Sequence, residues 1–266
     1  MKDIKVAVVQ MVSGTNVAEN VEKMSALVKQ AAETGARWVV LPEYWPLMGQ
    51  DDRDKVGIAE KLGEGVLQQS LSELSAQLNI VLFAGTIPLQ STDPDKVLNT
   101  MLVYDQGQLI GQYHKMHLFG FQSANESYAE ENTIMRGLEV PELKVDKIAV
   151  AQGICYDLRF PEFFRAQLPF EVMVLPAAFT FTTGKAHWQT LLSARAIENQ
   201  CYVLASAQGG IHQNGRRTYG HSMIINPWGE VLACLPEGEG VITATLDANQ
   251  LDMVRSKLPA LNHRLL

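Results

Sequence analysis

KIAVAQGICYDLRF, residues 147–160, decides how this chain is read. Its first half is an almost unbroken apolar run, the mark of a strand covered on both faces. The run stops at Cys155. Asp157 and Arg159 follow at once, and Pro161 then opens a helix at a position proline favours. A buried strand feeding a helix is the unit of layered α/β proteins, whose reactive residues gather where strands end.

The same alternation extends in both directions. IKVAVVQM (4–11) and ARWVVLPE (36–43) read as strands, and NIVLFAGTI (79–87) as a third. A helix is predicted from Val17 to Thr34, with Val17, Val21, Met24, Val28 and Ala31 on one face and Gly35 as its stop. Leu67, Leu71, Leu74 and Leu78 mark a second. LNTMLVYD and QLIGQYHK flank Gln106-Gly107, a hairpin turn. VMVLPAAF, CYVLASAQ, HSMIINP, EVLACL and VITATLD read as further strands, with helices from Ala186 to Asn199 and from Asn249.

With 266 residues, 47% of them hydrophobic, the chain can bury one large α/β core, and no linker or repeat divides it. Residues 1–266 therefore read as a single domain. A net charge of −7 argues against a nucleic-acid partner, because neutralising phosphates takes a basic surface. No apolar stretch of 18 residues suggests a membrane span. Gln10 breaks the opening apolar run, so MKDIKVAVVQMVSG reads as a first strand rather than a signal peptide. Three cysteines without CxxC spacing point away from a disulfide framework or a zinc site, and fit a reducing cytoplasm.

Three strands end on chemistry: Glu43 after WVVLP, Lys115 after LIGQYH and Cys155 after IAVAQGI. A thiolate attacks a carbonyl or nitrile carbon. A buried glutamate could take the thiol proton and pass it to a leaving amine. A lysine and the backbone N–H of Tyr156 could hold the oxyanion. No metal or cofactor is required. Phe179 and Thr180, leaving the next strand in AAFTFTTG, should form a pocket wall, and Tyr156 lies beside the nucleophile.

These motifs carry a resemblance. LPEYW, HKMHLF and GICYDLRFPE, in that order and at that spacing, resemble the three signatures of the nitrilase superfamily of carbon–nitrogen hydrolases, over essentially the whole chain. The resemblance implies a four-layer α-β-β-α sandwich, a homodimer or higher homo-oligomer, and catalytic roles for Glu43, Lys115 and Cys155. Many members carry a second glutamate sixteen residues after the lysine. That count lands on Glu131 in ENTIMRG, with Gly137 kept; Glu130 is the alternative, one position away. AHWQTLLSARAIENQCYVLASAQGG and GRRTYGHSMIINPWGEVLA are similar to the deaminated glutathione amidase and ω-amidase branch. That implies a small carboxylate-bearing linear amide, deaminated glutathione or an ω-amide of a 2-oxo acid, cleaved to acid and ammonia through a Cys155 thioester. A nitrilase with the same residues and a non-catalytic scaffold are the rival readings.

LPEYWPLMGQDD and GFQSANESYAEENT depart from the branch and should line the pocket mouth. Asp157 and Arg159 read as an ion-paired brace, and Arg195 with Glu198 as structural. HQNGRRTYGH reads as a surface hairpin with solvated charges, although two arginines beside a pocket would suit a carboxylate. His114 and His117 lack a clear third partner for a metal.

Overall fold

The computed structural model describes residues 1–122 and 127–265. β1 (Ile4–Gln10), β2 (Trp38–Val40) and β3 (Val81–Phe83) lie parallel side by side. α1 (Val17–Glu33) joins the first two, and α2 (Asp54–Gly57) and α3 (Val66–Leu78) fall between the next two. β4 (Ile87–Gln90), β5 (Val97–Asp105) and β6 (Gln108–His114) complete this half. β5 runs antiparallel, with β3 and β4 in succession along one edge and β6 along the other.

After a short hairpin of β7 (Gly120–Gln122) and β8 (Ser127–Ala129), the chain builds a second sheet. Its strands β9 (Lys144–Val145), β10 (Ile148–Gln152), β11 (Val172–Ala177), β12 (Tyr202–Ala207), β13 (Ser222–Ile225) and β14 (Val231–Leu235) lie side by side in chain order. The central β10, β11 and β12 are parallel, linked by α4 (Pro161–Arg165) and α5 (Phe181–Asn199). β15 (Gly240–Leu246) then crosses back to pair antiparallel with β1, ahead of α6 (Ala248–Lys257).

Alternation along the strands explains the layering. Val6, Val8, Trp38, Val40, Val81 and Phe83 share one buried cluster with Val150, Val172 and Val174 of the opposite sheet. Their neighbours Ala7, Val9, Val39, Leu41 and Leu82 point the other way, onto Met24, Val28 and Ala31 of α1 and Leu67, Leu71 and Leu74 of α3. Trp188, Leu192 and Ala196 of α5 cover the second sheet. The result is the α-β-β-α sandwich. Complete burial of a large aliphatic chain is worth about 1.5–3 kcal/mol, so this double-sided core is what holds the layers.

Local signals set the element ends. The Asn16 side chain caps α1 by accepting from the N–H groups of Ala18 and Glu19. Gln106 and Gly107 both take positive φ, 48° and 86°, as a tight hairpin between antiparallel strands requires. Two readings shift. α5 begins at Phe181, ahead of Ala186, because Thr180 caps it by accepting from Thr183 N. NIVLFAGTI breaks into β3 and β4 at Gly85, whose φ is 57°. A Cβ there would sit 2.0 Å from the Pro42 carbonyl oxygen, so only glycine lets the two segments touch. Thr86 then accepts from Tyr44 N at 3.0 Å, fixing the segment that carries Glu43. Among the described residues no helix is long and apolar enough to cross a membrane.

Candidate active site

β2 hands the chain to Leu41, Pro42 and Glu43 at its carboxyl end, where Glu43 is fully buried. Its Oε1 accepts from Lys115 Nζ and Asn99 Nδ2, each at 2.9 Å, and its Oε2 from Ala178 N at 2.9 Å. Gln208, at the end of β12, donates to the Glu43 carbonyl at 3.0 Å. Strand ends from both sheets thus hold one carboxylate.

Lys115 follows β6 and is also fully buried. Its backbone is pinned by Lys115 N donating to Asn99 O at 2.9 Å and Gly137 N to Lys115 O at 2.8 Å. Gly137 is required there, since a Cβ would lie 2.2 Å from the His114 carbonyl oxygen. The ammonium contacts a second carboxylate, and that carboxylate is Glu130, at 2.9 Å and 2.8 Å to its two oxygens. Glu130 further accepts from Tyr44 OH at 2.8 Å and Phe119 N at 2.7 Å. Glu131, the residue reached by counting from the lysine, is exposed. The cause is local: Ala129 is extended and Glu130 starts a 3₁₀ turn, so adjacent side chains diverge and the first one faces inward.

Cys155 stands at the exit of β10 with φ 48°, a left-handed conformation that costs a non-glycine residue roughly 1–2 kcal/mol. Asp157 secures it. Its Oδ2 accepts from Ile154 N and from Tyr113 OH, both at 2.8 Å, and its Oδ1 from His117 N at 3.1 Å. The His117 ring lies 2.7 Å from the same oxygen. Asp157 is therefore a brace, but its partners are Tyr113 and His117 rather than Arg159. Arg159 instead lies over the rings of Phe179 and Tyr156, at 5.3 Å and 5.8 Å. Arg195 pairs with Glu198 at 2.8 Å and donates to Leu158 O at 2.7 Å, supporting the turn from α5.

The electrostatics follow from burial and from one cation facing two anions. Burial raises the Glu43 pKa, against the pull of Lys115. Burial works against the Lys115 ammonium, but Glu130 and Glu43 outweigh it and hold its pKa above the usual lysine value. For Glu130, Lys115 outweighs burial and the pKa falls. Burial and the Glu43 charge push the Cys155 thiol well up, with Lys115 offsetting part of this. The Cys155 thiol therefore keeps its proton at neutral pH, beside the Glu43 carboxyl group.

Cys155 opens on a narrow slot whose wall includes Tyr156, Phe179 and Thr180, together with Arg159 and Phe119. The two divergent loops meet beside it around a cavity of about 630 Å³, which Phe119 also lines. Residues 123–126 of the second loop lie outside the described residues. The HQNGRRTYGH segment is only partly solvated. His212 is buried against Ser13 O and Thr218 Oγ1, Arg217 pairs with Glu237 at 3.0 Å, and Arg216 lines the cavity. His114 meets Thr100 Oγ1 at 2.8 Å, and among the described residues no group of three metal-ligating side chains converges. Sequence reasoning missed Asn99 and Tyr44. Tyr44 sits beside Glu43 in LPEYW, but the contacts that reveal both are long-range.

Residues 5–256 match the carbon–nitrogen hydrolase family. The chain is 38% identical over 272 residues to the deaminated glutathione amidase of Synechocystis sp., covering 100% of this chain and 99% of that one. It is 37% identical over 269 residues to the deaminated glutathione amidase of Homo sapiens, covering 97% of this chain and 81% of that one. It superposes on Saccharomyces cerevisiae Nit3, a member of branch 10 of the nitrilase superfamily, with a TM-score of 0.89 at 30% identity, over 100% of this chain and 97% of that one. The chain belongs to the carbon–nitrogen hydrolase family.

Paired variants test which carboxylate serves the lysine. Glu130→Gln should lower kcat/KM for an amide substrate about 100-fold, since the ammonium loses its orienting partner. Glu131→Gln should stay within about twofold of wild type. The reverse pattern would return the role to Glu131.

Proposed function

We propose that the protein is a thiol amidohydrolase acting on a small linear amide with a carboxylate on its acyl side, deaminated glutathione or an ω-amide of a 2-oxo acid. One observation carries the reading: the buried Glu43 carboxyl group and Lys115 ammonium act on the Cys155 thiol, and Cys155 opens on a slot that Arg159 also lines. A guanidinium beside the nucleophile can fork onto a carboxylate and hold the acyl half.

The chemistry then runs on the residues present. Cys155 gives its proton to Glu43 as the sulfur attacks the carbonyl carbon. Lys115 and the Tyr156 N–H stabilise the oxygen that becomes negative; losing one such donor commonly costs about 10²–10³ in kcat. The C–N bond breaks as Glu43 returns the proton to nitrogen. Water, with Glu43 again as base, hydrolyses the Cys155 thioester. A primary ω-amide releases ammonia. Deaminated glutathione releases cysteinylglycine instead, because its amide nitrogen belongs to that dipeptide. Glu130 keeps Lys115 charged and oriented. The cycle needs a free thiol and no cofactor, which suits a reducing cytoplasm.

Exposed Ile197 on α5 lies against the Pro-Trp-Gly turn, with Trp228, Val231 and Leu232 also exposed nearby in sequence. An apolar patch of this kind supports a homodimer or higher homo-oligomer.

Wild type should release the amine from α-ketoglutaramate and from deaminated glutathione, and a brief quench should show an acyl adduct on Cys155 by mass. Cys155→Ala should lose more than about 10⁴-fold in rate. Turnover of nitriles but not amides, or an adduct on Cys201 or Cys234, would overturn the reading. The acid limb of kcat/KM should lie above the ordinary glutamate value of about 4.3, because Glu43 must be deprotonated to act and its pKa is raised. A limb at or below that value would remove Glu43 as the base. Light scattering at assay concentration should give at least twice the chain mass, falling to the monomer for Trp228→Glu.

A further inference from the structure

The cavity of about 630 Å³ beside the slot has no part in the chemistry described so far. It reaches the reacting centre along Tyr44 and Glu130, and Phe119 is common to both walls. Three cations line it, Lys55, Arg216 and Arg217. The Lys55 side chain is only 15% exposed; it donates to Thr133 Oγ1 at 3.1 Å and has a loose contact of 3.6 Å with the exposed Asp52. Arg216 lies 5.0 Å over the Tyr128 ring, with a long contact of 3.9 Å to Met48 Sδ, and its buried Nε has no partner among the described residues. Neighbouring Arg217, by contrast, is committed to Glu237.

The acids on the same wall are partly spent. Glu130 is bound to Lys115, and Asp51 accepts from Arg53 N at 2.8 Å. Burial lowers the Lys55 pKa, Asp52 and Glu130 oppose this, and Arg216 adds to the lowering, so the two cations sense one another. Close cations with donors to spare would be relieved by an anion between them.

Direction of departure says what that anion belongs to. Glu43 protonates the leaving nitrogen, and its neighbour Tyr44 lines the cavity. The amine half therefore leaves toward the cavity while the acyl half stays in the slot with Arg159. Ammonia needs no such space. A short peptide amine ending in a carboxylate would fill it.

We propose that this cavity is the leaving-group subsite, and that Lys55 and Arg216 hold the terminal carboxylate of a peptide amine. The assignment rests on the amidase reading above and makes the protein selective for amides of short peptides over primary amides. The step is plain hydrolysis: the C–N bond breaks, nitrogen takes the proton from Glu43, and the acyl carbon takes hydroxyl from water.

Steady-state kinetics with three substrates test it: α-ketoglutaramate, deaminated glutathione, and deaminated glutathione with its glycine carboxylate blocked as the methyl ester. Wild type should prefer the free acid over the ester at least tenfold in kcat/KM. Lys55→Gln and Arg216→Gln should each lower the kcat/KM ratio of deaminated glutathione to α-ketoglutaramate about tenfold, through KM, and should erase the preference over the ester. Equal losses on all three substrates, an unchanged ratio, or a wild type indifferent to the ester would overturn the subsite and leave the amidase reading standing. A wild type inactive on every amide would overturn the amidase reading itself, and the subsite with it.

Discussion

The structure depends on an ammonium group sealed from water between two carboxylates. Lys115 touches Glu43 and Glu130 at 2.8–2.9 Å, and its side chain has no exposed surface. Desolvating each ion costs several kcal/mol, and attraction offsets that only when geometry is close and remaining lone pairs are filled. Here they are filled, by Asn99, Ala178 N–H, Tyr44 and Phe119 N–H. Removing one partner of such a set leaves an uncompensated buried charge, a loss of about 3–5 kcal/mol. The set persists because the sheets around it are apolar on both faces and rigid.

That rigidity comes from where the strands stop. β2, β6, β10, β11 and β12 all end around one point, so Glu43, Lys115, Cys155, Ala178 and Gln208 reach it on short segments rather than long loops. Gly85 and Gly137 mark two places where backbone passes so near backbone that no side chain fits. Both lie beside a residue of the charged set. Fixed donors aimed at the place where charge develops need no reorganisation during reaction.

The sandwich and three members of the site were legible because each is written locally. An apolar run names a strand, and the polar residue after it names what the strand presents. Contacts made across the fold were not. Counting from Lys115 reaches Glu131, but a 3₁₀ turn starting one residue earlier delivers Glu130. Asp157 and Arg159 are two residues apart and opposite in charge, so pairing them is the natural reading; Tyr113 and His117 claim the acid, and aromatic faces claim the base. NIVLFAGTI reads as one strand because nothing in its letters shows the Pro42 carbonyl pressed against Gly85.

The neutral resting state of Cys155 has a consequence for survival as well as for turnover. Peroxides and alkylating agents consume the sulfur anion far faster than the protonated form. Burial and the Glu43 charge raise the thiol pKa, which leaves little of the anion at neutral pH and disfavours such reactions. In the proposed cycle the reactive form arises only when Glu43 takes the proton away, so chemical durability and catalytic readiness would share one control.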